Sequence, residues 1–557
     1  MYKPLTFFII LILFFGVIQF VRADSLSDQV QEFLRNRIEA AGVPPQITVG
    51  DELIYASIML PRFYERRTYE AAWSNNKGPV SLAEDLIRAI KNADREGLRS
   101  TDYHLHKIET IINEIHQNQE QKKKLNPRRL VDFDLLLTDA FLIYGSHLLS
   151  GRINPQTIDS EWFANRREAD LSEVLQNALD MNQIIEVLNS LLPQQSGYKL
   201  LRRALAQYRS IAEKGGWYSI PDGPKLQKDD LNERVIALRQ RLIVTGDLDQ
   251  QTEYNEIIMY DDELDQAVRR FQKRHGLDVD GAMGPMTLAA LNVTAADRIN
   301  QIIVNLERWR WLPQDLGQRH ILVNIANFEL DVVEDEKYVI EMRVIVGRTY
   351  RRTPVFSDKM TYLVLNPYWH VPPTITKKDI LPLVRKDPEY LTKKNIKVFQ
   401  SWGADAQEID PSSIDWSQIT AKNFSYRFRQ EPGPENALGR IKFMFPNQFD
   451  VYLHDTPARE LFQKSKRDFS SGCIRIEKPI ELAEYVLRGD PKWTRQAILT
   501  AIDKRVEHTV RLPEPIPVHL LYWTTWVDNQ GIVHFRNDIY ERDKPLSEAL
   551  REEPPGG

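Results

Sequence analysis

Only one of 557 residues is a cysteine, Cys473. No internal disulfide can form, so the fold rests on buried apolar surface, and the thiol is either incidental packing or kept for its chemistry. A surplus of positive charge is missing as well. The 73 Lys and Arg stand against 78 Asp and Glu, a net charge of -5, which gives no electrostatic footing for a nucleic-acid partner. Long apolar runs are absent but for one. Leu5 to Val21 follows Lys3, and Val21-Arg22-Ala23 has the small-x-small outline of a signal-peptidase site. Its seventeen residues are at the short end for a membrane span, so a cleaved signal and a retained membrane anchor at residues 1–23 are both open. With either, the remainder is exported. Clustered metal ligands are also scarce: His104-Leu105-His106 has no third-ligand motif near it.

What is present is ordinary globular composition, 42% hydrophobic and 27% charged, at a length that predicts several domains. Residues 24–216 read mainly as helices, with a dense apolar stretch from Leu130 to Leu149. Gly215-Gly216-Trp217 and Pro221-Asp222-Gly223-Pro224 mark a boundary. Beyond it, Val235, Leu238 and Leu242, then Leu264, Val268 and Phe271, fall at helical spacing. Glu307-Arg308-Trp309-Arg310-Trp311, in a linker over 296–317, is expected to pack one domain on the next. After it the period turns from helical to alternating, and His320 to Ile325, Leu330 to Val333, Tyr338 to Val346 and Thr361 to Leu365 read as strands.

About sixty residues, Thr374 to Asn436, then interrupt the strand series. An unstructured loop of that length does not suit a compact domain, so the segment is expected to be a small subdomain or lid. Its Trp402, Trp416, Tyr426 and Phe428 either offer apolar surface to a substrate or form its own core. Val518 to Val527 and Ile532 to Tyr540 form a hairpin pattern, assigned to the same sheet as the earlier strands, and residues 546–557 are read as a tail that ends frayed.

Two stretches carry the chemistry. Phe449-Asp450-Val451-Tyr452-Leu453-His454 alternates, so as a strand it turns Val451 and Leu453 to a core while Tyr452 and His454 share the other face, with His454 at the strand end looking out. Cys473 follows His454 by nineteen positions; Gly472 frees the backbone before the sulfur, and Cys473 and Arg475 share a face if the chain is extended. A thiol with an ordinary pKa of about 8.5 needs a neighbour that removes its proton or holds the thiolate, and an imidazole does either.

Tyr452-Leu453-His454-Asp455-Thr456-Pro457 followed by Ser470-Ser471-Gly472-Cys473-Ile474-Arg475 resembles the signature of the L,D-transpeptidase (YkuD-type) catalytic domain, His-Gly-Thr and then Ser-His-Gly-Cys-Ile/Val-Arg. Asp455 stands where the signature has Gly, and Ser471 where it has His, which removes any role for a second histidine beside the thiol. Phe271-Gln272, His275-Gly276-Leu277, Asp280-Gly281 and Thr287 to Asn292 resemble a three-helix peptidoglycan-binding module at 217–295, and Leu60 to Tyr64 with Asp94 to Leu98 resemble the helical domain of the large periplasmic members.

The resemblance implies a multidomain α+β protein: helical scaffold, binding module, and a mostly β catalytic domain at 318–545 with the lid inserted at 374–436. It implies acyl transfer between peptidoglycan stem peptides in the periplasm, with Cys473 as nucleophile, His454 as base and acid, and backbone N–H groups around Gly472 and Cys473 as oxyanion donors. Ser471, Arg475 and Tyr452 line the substrate site, Arg475 toward a carboxylate. No cofactor is implied. Glycan strands at the module, and carbapenem β-lactams as acyl-donor mimics, complete the expected partners. Water as acceptor, giving an L,D-carboxypeptidase or cross-link hydrolase, and a non-catalytic wall-binding scaffold are the alternatives.

Overall fold

The computed structural model describes residues 25–163, 166–250, 257–401, 403 and 405–552. The export segment expected at residues 1–23, Trp402 and the last five residues lie outside the described residues. Among them no helix is long and apolar enough to cross a membrane.

The N-terminal domain is helical and is organised around α1 (Pro127–Ser150). Asn126 caps its start by accepting from the Arg128 N–H, Pro127 sits in the first turn, and Gly151 follows its end. It is buried on nearly every side, as an apolar helix at the centre of a bundle must be. Two carboxylates lie inside, Asp134 and Asp139, and Asp134 accepts from the Ala72 N–H (2.8 Å), the Trp73 N–H (3.1 Å) and the Tyr64 hydroxyl (2.8 Å). Removing it strands these donors, so Asp134→Ala is expected to cost about 3–5 kcal/mol, read as an earlier thermal transition of the helical domain.

The next unit packs α2 (Arg234–Val244), α3 (Asp262–Arg274) and α4 (Pro285–Leu291) around Leu238, Leu264, Phe271 and Leu291. Its signature residues hold the fold: the buried Gln272 side chain donates to Asp280 and the Ala282 carbonyl and accepts from the Gly281 N–H, while Gly276, at φ +66°, turns the chain out of α3. Most of the stretch read as a linker is α5 (Ala295–Arg310), a helix whose Trp309 stacks on Trp523 (4.3 Å), while Trp311, just past its end, meets Trp162 edge-on (4.9 Å).

The C-terminal domain holds β1 (Arg319–Asn324), β2 (Glu329–Glu334), β3 (Lys337–Gly347), β4 (Phe356–Leu365), β5 (Trp369–His370), β6 (Ile396–Phe399), β7 (Glu408–Ile409), β8 (Arg427–Gln430), β9 (Ile441–Met444), β10 (Leu453–His454), β11 (Asp468–Ser470), β12 (Ile474–Ile476) and β13 (His508–Leu521). Its main sheet runs β11-β3-β12-β10-β9-β4-β13-β1-β2, and β3 also pairs with β2, so the strands close on themselves. In β13 the register slips between Arg511 and Ile516, where Pro513 and Pro515 have no N–H to give the ladder. Inside lie Val344, Leu363, Phe443, Leu453, Ile474 and Ile476, with Leu482 and Val486 of α6 (Pro479–Leu487) against them.

The structure corrects the expectations for the hairpin and the tail and decides between the two given for the insertion's aromatic residues. Val518 to Leu521 join the main sheet as the end of β13, but the hairpin itself, β14 (Thr525–Val527) and β15 (Val533–Phe535), is a separate two-stranded sheet; Val527, Val533 and Phe535 join the helical domain's core, and the Arg536 guanidinium donates to the Arg274 carbonyl of the second unit (2.9 Å). Alternation shows that two strands pair, but not which core their apolar face meets. Trp416 and Phe428 are buried in the insertion's own core with Val371, Val384 and Leu391, and Tyr426 packs against them; its strands form the sheet β7-β6-β8-β5. The tail begins as an ordered helix, Asp543–Ala549, and Arg99 and Arg152 donate to its last carbonyls and those just beyond.

Candidate active site

The alternation that buries Ile441, Phe443, Leu453, Ile474 and Ile476 sends Lys442, Tyr452, His454, Cys473 and Arg475 to the other face of the sheet. Parallel pairing of β10 with β12 sets His454 opposite Arg475, and antiparallel pairing with β9 sets Lys442 opposite His454. Cys473 lies one residue before β12, partly exposed, its thiol pointing to the Asp450 carbonyl at 3.7 Å. Burial pushes this thiol above the ordinary range, while the N–H and hydroxyl of Tyr452 and the charges of Lys442 and Arg475 pull the other way.

Tyr452 is the thiol's near neighbour. Burial and the adjacent sulfur hold its phenol well above the usual value, so it keeps its proton and acts as a donor. Lys442 Nζ stands 3.9 Å over its ring. The Lys442 amine is depressed by burial and supported chiefly by Cys473. Sequence reasoning passed over Lys442, although a lysine between Ile441 and Phe443 in an alternating strand has to share a face with His454.

His454 does not look out, as expected of a strand end, but is 4% exposed. Its Nδ1 lies 2.6 Å from the Asp455 carbonyl oxygen, which assigns the proton to Nδ1 and leaves Nε2 as acceptor. Burial, then Arg475 and Lys442, holds it down to about 3 against the pull of the Asp455 and Leu438 carbonyls. The imidazole is therefore neutral. Among the described residues it makes no hydrogen bond to Cys473, and its ring meets Tyr452 edge-on at 5.7 Å.

The backbone before the sulfur is fixed by hydroxyls. Gly472 takes φ +119°; Thr353 donates to its carbonyl (2.8 Å), and Ser470 accepts its N–H (3.1 Å) and donates to the Cys473 carbonyl (2.5 Å). The Gly472 N–H, expected as an oxyanion donor, is thus already engaged, whereas the Cys473 N–H makes no hydrogen bond among the described residues. Ser471 points outward and accepts from Arg351 (2.9 Å), which also pairs with Asp379 of the insertion. The loop that carries the thiol is so tied to the subdomain above it. No spacing in the sequence announces Thr353 or Ser470, since they act on backbone and not on substrate.

Arg475 is half-buried, its Nε makes no hydrogen bond, and no carboxylate pairs with it among the described residues. Burial and the nearby Arg348, itself without a carboxylate partner there, depress it. Arg475 beside the thiol, with Arg348 near it, forms a seat for an anion. Asp455, the departure from glycine, is accommodated because position 439 is Gly at φ +61°: a Cβ there would stand 2.5 Å from Asp455. Its carboxylate accepts from the Arg440 N–H (2.9 Å) and the Arg459 guanidinium (3.2 Å), which anchors the chain next to His454.

Comparison with known proteins matches three families: "Scaffold domain" at 59–205, "Putative peptidoglycan binding domain" at 232–291 and "L,D-transpeptidase catalytic domain" (YkuD) at 318–494. A curated protein of Haemophilus influenzae, described as "Putative L,D-transpeptidase", is 37% identical over 249 residues, covering 45% of this chain and 49% of the relative. The chain thus spans about half the length of the curated relative it matches. Among solved structures, an L,D-transpeptidase fragment from Xylanimonas cellulosilytica is 16% identical over 54% of this chain and 98% of its own (TM-score 0.15). One from Stackebrandtia nassauensis is 13% identical over 53% and 97% (TM-score 0.20). At such scores neither likeness bears on the site. All three are matched in order: the chain carries a region similar to the YkuD L,D-transpeptidase catalytic domain, preceded by regions similar to a scaffold domain and a peptidoglycan-binding domain.

Proposed function

We propose that the protein is a cysteine-dependent L,D-transpeptidase that forms 3-3 cross-links between peptidoglycan stem peptides. The observation that carries this reading is the single thiol of the chain, set on a hydroxyl-locked turn beside Tyr452, Lys442 and Arg475, whose Nε has no partner. Peptidoglycan as substrate places the work in the periplasm or outside the cell.

In this reading the donor's carboxylate settles between Arg348 and Arg475, the anion for which neither arginine has a protein partner. The Cys473 thiolate attacks the carbonyl between the third residue, a diaminopimelate, and the terminal D-alanine. The Cys473 N–H, fixed before charge develops, takes the carbonyl oxygen as it becomes an oxyanion. His454 Nε2 takes the thiol proton as the sulfur attacks and passes that same proton to the D-alanine nitrogen, so that D-alanine leaves as the free amine and a thioester remains. An amine of a second stem then displaces the sulfur, giving the cross-link and returning the thiol. The lid, tied through Arg351 to Ser471, keeps water from the thioester.

The test is incubation with purified disaccharide-tetrapeptides. Release of D-alanine with 3-3 dimers in the mass spectrum supports the reading; release without dimers identifies a carboxypeptidase, and no release removes the enzyme reading altogether.

Lys442 gives a sharper expectation. Its charge favours the thiolate, so Lys442→Met is expected to raise the thiol pKa by about one unit and slow alkylation at neutral pH about tenfold, with Lys442→Arg restoring most of it. The pH profile of iodoacetamide labelling reads this directly, and coincident profiles for Lys442→Met and wild type would remove Lys442 from the site.

A further inference from the structure

The sheet of the insertion has two unlike faces. Ile396, Val398 and Phe428 face its apolar core. On the other face, Lys397 pairs across to Arg429, Arg429 to His370, and Phe399 to Arg427. Both guanidiniums lie over the Phe399 ring, Arg427 at 4.6 Å and Arg429 at 4.7 Å, and Arg429 also covers Tyr368 at 4.5 Å. Lys397 is paired with Glu408 and Arg429 with Glu431, each at 2.7 Å. Arg427 has no carboxylate partner among the described residues, and its Nε is buried without a hydrogen bond. Stacking on Phe399 orients a guanidinium but does not neutralise it.

This face begins close to the reaction centre: β5 starts four residues after the end of β4, whose Val364 pairs with Lys442, the register partner of His454. His370 is depressed by burial, by Arg427 and Arg429, and also by Lys442, the amine beside the thiol, with Glu507 opposing. Glu507 accepts from the Tyr368 N–H at 2.9 Å and fixes the base of the insertion there. A row of cations on aromatic supports therefore runs from the insertion to Lys442, which stands over Tyr452 next to Cys473.

We propose that this face of the insertion seats the second, acidic stem peptide, the acyl acceptor, with one of its carboxylates on Arg427 beside Arg429. The proposal rests on the transfer reading above. Charge complementarity selects the occupant: a stem peptide carries carboxylates along an extended backbone and its amine must reach the thioester, whereas an uncharged glycan gives Arg427 no counter-ion.

Arg427→Gln keeps size and removes charge, and Arg427→Lys keeps the charge. With the full protein, Cys473 acylation by a carbapenem is followed by intact mass, and dimer formation is followed against tetrapeptide acceptor concentration. The expected result is unchanged acylation in both variants, with half-saturation by acceptor raised about tenfold in Arg427→Gln and less in Arg427→Lys. Acylation as in wild type with unchanged acceptor saturation would overturn this seat alone. Slowed acylation in Arg427→Gln would move Arg427 to the donor side and equally overturn it. A wild type that is never acylated would instead sink the transfer reading beneath it.

Discussion

Cys473→Ser is expected to abolish D-alanine release, by about four orders of magnitude or more, while the circular dichroism spectrum and thermal unfolding stay as in wild type. The fold has no reason to change. The turn around the sulfur is held by Ser470 and Thr353 through backbone atoms, and the thiol's own contact is a 3.7 Å approach to the Asp450 carbonyl. The chemistry has every reason to fail. A hydroxyl in this place needs a strong base within reach, and the neutral His454 makes no hydrogen bond to position 473 among the described residues. Residual turnover within tenfold of wild type would show that another group carries the acyl chain.

His454→Ala is expected to lower turnover by about 10²–10³-fold, because the leaving amine then lacks its proton carrier, with His454→Gln equally slow although it fills the space. Equal losses separate proton transfer from packing. The pH dependence follows from the two shifts. His454 is held down to about 3, so it stays neutral across the physiological range and contributes no limb between about pH 5 and 8. The thiol is raised, so its reactive anion accumulates only as pH climbs through and beyond the ordinary thiol range. Labelling of the free enzyme should therefore rise steadily with pH. A plateau by neutral pH would mean a preformed thiolate–imidazolium pair, which the burial of His454 beside Arg475 and Lys442 opposes.

Period-two alternation made much of this site legible. Leu453 and Ile474 inward, Tyr452, His454, Cys473 and Arg475 outward, follow from alternation alone, and Lys442 was within reach of the same rule. Depth was not legible. His454 ends a strand, and nothing in its own neighbourhood says that the Leu438 segment, brought back by the insertion, covers it. The partner of a hairpin was equally hidden, because the apolar faces of β14 and β15 suit the helical core as well as the main sheet. The partner of the Gly472 N–H was hidden for a local reason: Ser470 lies two residues away, and only the folded turn shows its hydroxyl closing on that donor.

That Cys473 is the group acylated is the claim from which the rest follows, and intact-protein mass spectrometry with a carbapenem tests it most directly. The account predicts that wild type gains the mass of one inhibitor, that Cys473→Ala gains none, and that peptide mapping places the adduct on Cys473. An unmodified wild type, or a Cys473→Ala protein modified to the same extent, would contradict it.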